Sequence, residues 1–102
     1  VNDLKVDFDR PELATIATEF VGTSISSAGD GMVKAAYTDT MLAENAFVRF
    51  HNAERGYVSC TVTPDTWRAD YQVVPFVTRR GAPLITRKSF VVAEGRPGAE
   101  AV

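Results

Sequence analysis

A serine- and glycine-rich segment, residues 22–31, carries the side chains of this sequence that are best suited to binding an anion. It contains Ser24, Ser26, Ser27 and Asp30 among three glycines. Glycine accepts backbone conformations that other residues avoid, and serine competes for backbone hydrogen bonds, so the segment is predicted to be a loop. Exposed N–H groups of such a loop, placed before a helix, can bind a phosphate group. The alternative is a solvated loop in which Asp30 caps the helix, since the lysine of a P-loop is missing.

The other candidate reactive side chains stand alone. His51 is the one histidine and Cys60 the one cysteine, so the sequence excludes a multi-histidine metal site, a CxxC zinc site and an internal disulfide. No partner at a catalytic spacing accompanies His51, and a surface or turn position is predicted for it. Cys60 lies between Val58 and Val62 in an alternating segment and is predicted to be a small, buried apolar residue.

Two further groups of residues have less specific binding potential. Three aromatic residues are candidates for stacking against bases or sugars: Tyr57, Trp67 and Tyr71. Packing within a sheet is the alternative for them. Four basic residues are candidates for phosphate contacts: Arg79, Arg80, Arg87 and Lys88. Acidic residues elsewhere offset their charge.

A mostly antiparallel sheet with one helix, an α+β fold class, must position these candidates. The helix is predicted over residues 32–43, where apolar residues recur near a 3.6-residue period, with Asp30 as N-cap and Glu44-Asn45 as the stop. Strands are predicted where apolar or β-branched residues alternate or cluster: residues 4–9, 13–21, 47–51, 57–63, 67–77 and 84–93. Turns are predicted between them, among them residues 52–56, and residues 95–102 are predicted to be a flexible tail.

Composition excludes several classes of protein. The chain has 102 residues, is 45% hydrophobic and carries a formal net charge of −2. This is apolar enough for a core, and the charge gives no long-range attraction to nucleic acid. No apolar run approaches the ~20 residues that span a bilayer. The chain begins at Val1 without an initiator Met, which we interpret as the start of a piece of something longer.

Four blocks of the sequence carry a family resemblance: residues 2–5 (NDLK), 19–27 (EFVGTSISS), 55–58 (RGYV) and 62–71 (VTPDTWRADY). They resemble the C-terminal part of the alkaline phosphatase D family. These are secreted bacterial metallophosphoesterases, and they include the metal-dependent phospholipase D of certain actinomycetes. The resemblance runs from Asn2 to about Gly98. It departs from the family pattern at Asn45-Ala46-Phe47, where the family often has Asn-Pro-His.

The resemblance implies that residues 1–102 are the C-terminal segment of a metallophosphoesterase catalytic domain, an incomplete part of a larger β-sandwich flanked by helices. It also implies a dinuclear centre of iron and calcium whose ligands lie upstream of Val1. No catalytic residue and no metal ligand is therefore assigned to this chain, which is predicted to be inactive alone and to pack against the N-terminal portion of the same enzyme. The loop with Ser24, Ser26, Ser27 and Asp30 would line the substrate pocket.

The implied reaction is hydrolysis of phosphomonoesters or phosphodiesters, phospholipids included, by a metal-activated hydroxide. The implied location is extracellular, and an oxidising medium leaves open a disulfide between Cys60 and an upstream cysteine. The alternative function is a free-standing, small β-rich module that binds a ligand through Trp67, Tyr57 and the arginines. Neither interpretation includes a nucleic-acid partner or a transmembrane segment.

Overall fold

Antiparallel strands dominate the computed structural model, which describes all residues from Val1 to Val102. Two short strands, β1 (Asn2–Leu4) and β2 (Ala17–Glu19), pair with each other. A second sheet contains five strands in chain order: β3 (Gly31–Met32), β4 (Ala53–Val62), β5 (Thr66–Val74), β6 (Ile85–Ala93) and β7 (Arg96–Ala101). The helix α1 (Thr38–Glu44) lies between β3 and β4. The predicted α+β class, a mostly antiparallel sheet with one helix, is confirmed.

The alternating residues of β4 and β5 place their apolar side chains on one common face. Val58 is opposite Tyr71 and Cys60 is opposite Ala69, so the two predicted apolar faces coincide. A small core forms there from Val1, Tyr71, Phe90 and Ala99, with four partly buried residues packed against it: Phe20, Phe50, Val58 and Val92. Burial raises the pKa of Tyr71 to about 12, so its hydroxyl stays protonated.

The other face of the sheet is polar and is held by side-chain hydrogen bonds. Arg68 donates to the carboxylate of Asp70, and Ser89 of β6 donates to the same carboxylate. Gln72 donates to the hydroxyl of Thr86 over 2.9 Å. These contacts, one within β5 and two between β5 and β6, fit a solvated face opposite the apolar one.

A bulge in β6 directs one arginine across the end of the sheet. The register passes from Tyr71 opposite Lys88 to Gln72 opposite Thr86, so Arg87 has no partner on β5. Its Nε and Nη2 atoms donate to the carboxylate of Glu54 over 2.7 and 3.0 Å. Glu54 is buried and lies near the start of β4. The ion pair therefore joins β4 to β6 at the end of the sheet where long loops enter and leave it.

The predicted strand over residues 4–9 is wrong beyond Leu4. The Asp7 carboxylate accepts a hydrogen bond from the backbone N–H of Asp9 over 3.0 Å, and this contact turns the chain. Val6 is consequently exposed, although it belongs to a strictly alternating pattern. The second strand is likewise shorter than residues 13–21, because only Ala17–Glu19 pairs with β1.

The helix begins six residues later than predicted, and Asp30 is not its N-cap. Tyr37 occupies the cap position, and the hydroxyl of Thr38 accepts a hydrogen bond from the backbone N–H of Ala35, which holds the preceding turn. The predicted stop is confirmed: Asn45 is the C-cap, and its side chain donates to the Met41 carbonyl over 2.8 Å.

Residues 52–56 form no turn, because β4 already begins at Ala53. Gly56 stands opposite Val73, and an added Cβ there would collide with the carbonyl oxygen of Gln72. The glycine therefore permits a close approach of two strands, not a reversal of the chain. The predicted strand over residues 47–51 is reduced to a single bridge between Asn2 and Val48.

The segment 95–102 does not form the tail that its glycine and proline content predicts. Gly95 adopts a φ of 70° in the turn after β6, and the following residues pair with β6 as β7. Phe90 is opposite Ala101, and neighbouring Ala99 is buried in the core. Apolar packing on Ala99 outweighs the poor strand propensity of the sequence.

Large apolar side chains remain on the surface at both ends of the sheet. The most exposed of them are Val6, Ile25, Val62 and Val102. Val62, next to Trp67, continues the apolar face that buries Tyr71, but no element of this chain covers that end. The single helix, seven residues long, is far too short to cross a membrane.

Candidate functional site

The loop of residues 22–31 leaves β2 and ends where β3 meets β4. Gly31 adopts a φ of 74°, and an added Cβ would collide with the backbone oxygen of Ala53. A residue with a side chain would therefore be strained at this position and would also push the loop off β4. Close backbone contact at Gly31 thus fixes one end of the loop.

The serines of the loop divide into one structural and two free hydroxyl groups. Ser24 donates from Oγ to the carbonyl of Ser27 over 3.0 Å, and its own carbonyl accepts from the Gly56 N–H over 3.2 Å. Ser26 and Ser27 are exposed, and their hydroxyls have no partner within the chain. Only these two hydroxyls are free to contact a ligand.

Arg55 of β4 supports the loop from within. Its Nε donates to the carbonyl of Gly29 over 2.9 Å, and the other guanidinium nitrogens reach Thr23 and Ala28 at 3.4 Å. Ala28 has a φ of 65°, a left-handed conformation that is uncommon for alanine. The guanidinium thus holds a turn that the local sequence does not favour.

Asp30 joins this loop to a second one, residues 75–84, which connects β5 to β6. Its Oδ1 accepts from the backbone N–H groups of Val77 and Thr78 over 2.8 and 3.0 Å, and its Oδ2 accepts from the Thr78 hydroxyl over 3.2 Å. These backbone hydrogen bonds lower the pKa of Asp30, and the nearby Arg79 lowers it further. We call residues 22–31 and 75–84 the joined loops.

The second of the joined loops carries two adjacent arginines. The guanidinium of Arg79 lies 3.8 Å from the centre of the Phe76 ring, a cation–π contact. Arg80 follows it directly and is exposed. Arg55 donates to the carbonyl of Gly29, next to Asp30, and Arg79 is close enough to lower the pKa of Asp30, so positive charge is concentrated at the joined loops.

The structure separates the four basic residues that the sequence grouped together. Arg87 is bound to Glu54, so it is not available to a ligand. Burial raises the pKa of Glu54, but the hydrogen bonds from Arg87 and Asn52 outweigh burial and leave it below its ordinary value. Lys88 lies on β6, and only Arg79 and Arg80 lie on the joined loops.

His51 is half-buried and occupied by neighbours. Its Nδ1 lies 3.1 Å from the hydroxyl of Thr38, and its ring packs against Tyr37 at 5.5 Å between centroids. It thereby ties the turn before α1 to the segment that leads into β4. The structure shows a packing role: the one hydroxyl that reaches this histidine, that of Thr38, is buried and also accepts a hydrogen bond from the Ala35 N–H, and no acidic partner is present.

The three aromatic residues do not form a common stacking platform. Trp67 is opposite Val62 and shares the face of Tyr71, whereas Tyr57 is opposite Gln72 on the other face. Tyr71 is buried in the core, and Trp67 packs against Phe20 at 6.1 Å. A ligand site built from Trp67 and Tyr57, as the module interpretation requires, is therefore excluded.

Cys60 is exposed, so its predicted burial is wrong. The predicted face is right, because Cys60 and Val62 both share the face of Ala69 and Tyr71. Burial fails because no element of this chain covers that part of the face.

At the departure from the family pattern, Phe47 packs against Phe8 at 4.7 Å between ring centroids, so an apolar contact occupies that position.

These residues do not fit a dinuclear metal centre. No three His, Cys, Asp or Glu side chains converge anywhere in the chain. The most buried carboxylates are paired with arginine: Glu54 with Arg87, and Asp3 with Arg49. The metal ligands of such a centre would have to come from residues outside this chain.

Comparison with known proteins decides the family. The sequence profile described as PhoD-like phosphatase matches residues 1–71. This chain belongs to the PhoD-like phosphatase family. It is 50% identical over 97 residues to alkaline phosphatase D from Bacillus subtilis (strain 168), a match that covers 95% of this chain and 17% of that protein.

A solved structure shares the fold of this chain. The structure titled "Structure of PhoD" superposes with a TM-score of 0.93 at 50% identity, covering 99% of this chain and 19% of that one. The chain therefore spans less than a fifth of the length of the relatives that it matches. The resemblance to the alkaline phosphatase D family is confirmed, and with it a phosphoesterase family.

The sequence predicts a loop at residues 22–31 and a turn at residues 79–83, but it does not predict that the two are joined. The serines and glycines of residues 22–31 were a visible signal, whereas Val77 and Thr78 bind Asp30 mainly through backbone N–H groups, which leave no mark in a sequence. Arg55 falls within the predicted turn of residues 52–56, whereas the structure places it on β4. The adjacent pair Arg79-Arg80 is the visible sign of a second candidate binding loop. In the sequence the pair is grouped with Arg87 and Lys88 and not with the loop of residues 22–31.

Proposed function

We propose that this chain is part of a secreted, metal-dependent phosphoesterase that hydrolyses phosphomonoesters or phosphodiesters, phospholipids included. The observation that carries the proposal is the 50% identity to alkaline phosphatase D across 95% of this chain. The PhoD-like profile over residues 1–71 supports the same class of reaction. Secretion, the metals and the lipid substrates rest on the family resemblance.

In this proposal the chain forms a wall of the substrate pocket. The joined loops suit the role, because Asp30 and Arg55 hold them in one arrangement by hydrogen bonds. Preorganised loops lose little freedom when a ligand binds. The free hydroxyls of Ser26 and Ser27 can donate to phosphoryl oxygens. Ser24 and Asp30 hold the loop in place and do not themselves contact substrate.

The catalytic centre would be formed by the rest of the enzyme. The two metal ions that the resemblance implies would be held by residues outside this chain, and they would supply a hydroxide nucleophile and polarise the phosphoryl group. None of the residues here fits such a centre, so this chain is assigned binding and support alone. On its own it is expected to be inactive.

The apolar surface of the chain supports its place in a larger protein. Val62 is 64% exposed and Trp67 is 47% exposed, although both belong to the face that buries Tyr71. A cleft of about 440 Å³ lies beside them, between β2 and the turns that follow β4 and β6. Exposed contiguous apolar surface marks an interface in soluble proteins. We propose that the remainder of the enzyme, more than four fifths of its relatives' length, covers this face.

Replacement of the loop serines tests the pocket role. Ser26 and Ser27 are changed to Ala together in the intact enzyme, while Ser24 is kept because it holds the loop, and kcat and KM are measured with p-nitrophenyl phosphate. We expect a raised KM in a folded protein, because the free hydroxyls are lost. The matched control, S59A with T61A, removes exposed hydroxyls from β4. Unchanged kcat and KM in the folded double variant would contradict the pocket role.

A further inference from the structure

Two adjacent arginines are the only ones in the chain whose guanidinium groups have no hydrogen-bond acceptor within it. Five arginines form salt bridges with carboxylates: Arg10, Arg49, Arg68, Arg87 and Arg96. Arg55 donates to oxygen atoms of the serine loop. Arg79 and Arg80 remain, next to each other on the second of the joined loops.

The contacts of Arg79 leave its donors available. A guanidinium over an aromatic ring uses its flat face, whereas its N–H groups lie in its plane. The Phe76 ring therefore orients Arg79 without satisfying its donors. The backbone next to it is fixed, because Asp30 binds the N–H of Thr78 over 3.0 Å. Arg79 and Arg80 are thus connected to the loop of residues 22–31 through the hydrogen bonds of Asp30.

The local charge favours an anion. The carboxylate of Asp30 is occupied by three hydrogen bonds, and Arg55, Arg79 and Arg80 outnumber it. Two exposed guanidinium groups without acceptors match the geometry of phosphate oxygens, which arginine binds in a bidentate way. The free hydroxyls of Ser26 and Ser27 belong to the loop that Asp30 holds against this one.

We propose that Arg79 and Arg80 form a phosphate-binding subsite on the joined loops. The proposal rests on the proposed function, since the phosphate would belong to the phosphoester substrate. The same chemistry serves a soluble phosphoester and the headgroup of an anionic phospholipid. The subsite consists of residues of this chain alone and needs no metal ion for binding.

The test is equilibrium binding to the intact enzyme after treatment with EDTA, with pyrophosphate as the probe in isothermal titration calorimetry. Arg79→Ala with Arg80→Ala is expected to weaken binding at least about tenfold, the effect of losing charge-assisted hydrogen bonds. Arg80→Ala alone removes no contact within the chain, so weaker binding by this variant cannot be attributed to misfolding. Arg10→Ala, an exposed arginine paired with Glu12, is the matched control and should bind as the wild type does.

A second arm distinguishes the source of the phosphate, with vesicles of phosphatidylglycerol compared with vesicles of phosphatidylcholine. Loss of pyrophosphate binding in the double variant supports the subsite, and loss of phosphatidylglycerol binding alone supports it with a lipid headgroup as ligand. Equal binding of both probes by the double variant and the wild type would overturn it.

Hydrolysis of p-nitrophenyl phosphate by the same protein, with metals restored, separates the two proposals. An active enzyme whose double variant binds both probes normally would overturn the subsite and leave the proposed function intact. An inactive enzyme whose double variant loses the probe would contradict the proposed function and still support the subsite.

Discussion

The ion pair between Glu54 and Arg87 joins strands that are not neighbours, and its removal should loosen one end of the sheet. The pair is bidentate, with distances of 2.7 and 3.0 Å, and the Glu54 side chain is only 5% exposed. Arg87→Met keeps an unbranched apolar stem similar to that of arginine and removes the guanidinium with its charge. The carboxylate of Glu54 then stays buried, with Asn52 as its remaining side-chain donor.

The expected cost follows from the burial of the two partners. Loss of one partner of a fully buried pair costs about 3–5 kcal/mol, because the other charge is left uncompensated. The Arg87 side chain is 34% exposed, so solvent screens part of the attraction. We therefore expect a loss of about 2 kcal/mol, equal to about 30-fold less protection of backbone amides against hydrogen exchange.

The assay is hydrogen exchange followed by mass spectrometry on peptides from β4, β5 and β6. The control is Arg68→Met, which breaks an ion pair on the solvated face of the same sheet and should change protection little. Equal protection in the Arg87 variant and the wild type would refute the assigned role of the pair.

The pH dependence supplies a second test with a definite sign. The pKa of Glu54 lies below its ordinary value of 4.5, so the pair stabilises the fold above that pH. The contribution is lost as the pH falls through the lowered pKa of the folded state. In Arg87→Met burial, the largest influence on the carboxylate, is opposed only by the hydrogen bond from Asn52, so the pKa of Glu54 rises above its ordinary value and the sign reverses. Acidification from about pH 7 to about pH 5 should then increase protection, and a decrease would contradict the argument.

Three further predictions concern other contacts. Asp30→Asn should speed hydrogen exchange at the backbone N–H of Val77. Because the pKa of Asp30 is lowered, the wild-type protein should lose protection of this N–H only as the pH falls below 3.8. Unchanged exchange at Val77 would show that the loops are not joined by this carboxylate. Gly56→Ala should destabilise the sheet by about 3 kcal/mol in thermal melts, whereas Gly22→Ala, which meets only ordinary contacts, should not. Cys60 should react readily with iodoacetamide in this chain and slowly in the intact enzyme, and equal rates would contradict a covered face.

The parts of the fold that sequence could predict are those fixed by local alternation. In β4 and β5 apolar and polar residues alternate over eight paired positions, from Arg55 opposite Val74 to Val62 opposite Trp67. The same pattern failed at Val6, because the Asp7 carboxylate turns the chain by binding a backbone N–H two residues later. A local side-chain hydrogen bond can turn the chain despite an alternating pattern when no neighbouring strand pairs with that segment.

The candidate site was harder to predict because its contacts are distant in sequence. Asp30 binds Val77, which is 47 positions away, and a helix cap is the local role that its position favours. Arg55 holds a loop whose nearest contact is 26 positions earlier. The alternating pattern predicts which face of the sheet carries Cys60 but not whether the side chain is buried, because burial depends on what covers that face.

The most direct test of the account is phosphoester hydrolysis by the longest natural polypeptide that contains this chain. Its activity on p-nitrophenyl phosphate and bis-p-nitrophenyl phosphate is compared, with and without EDTA, with that of residues 1–102 alone. We predict hydrolysis that EDTA abolishes in the longer protein and no hydrolysis by residues 1–102. Hydrolysis by residues 1–102 alone, or none by the longer protein with its metals restored, would contradict the account.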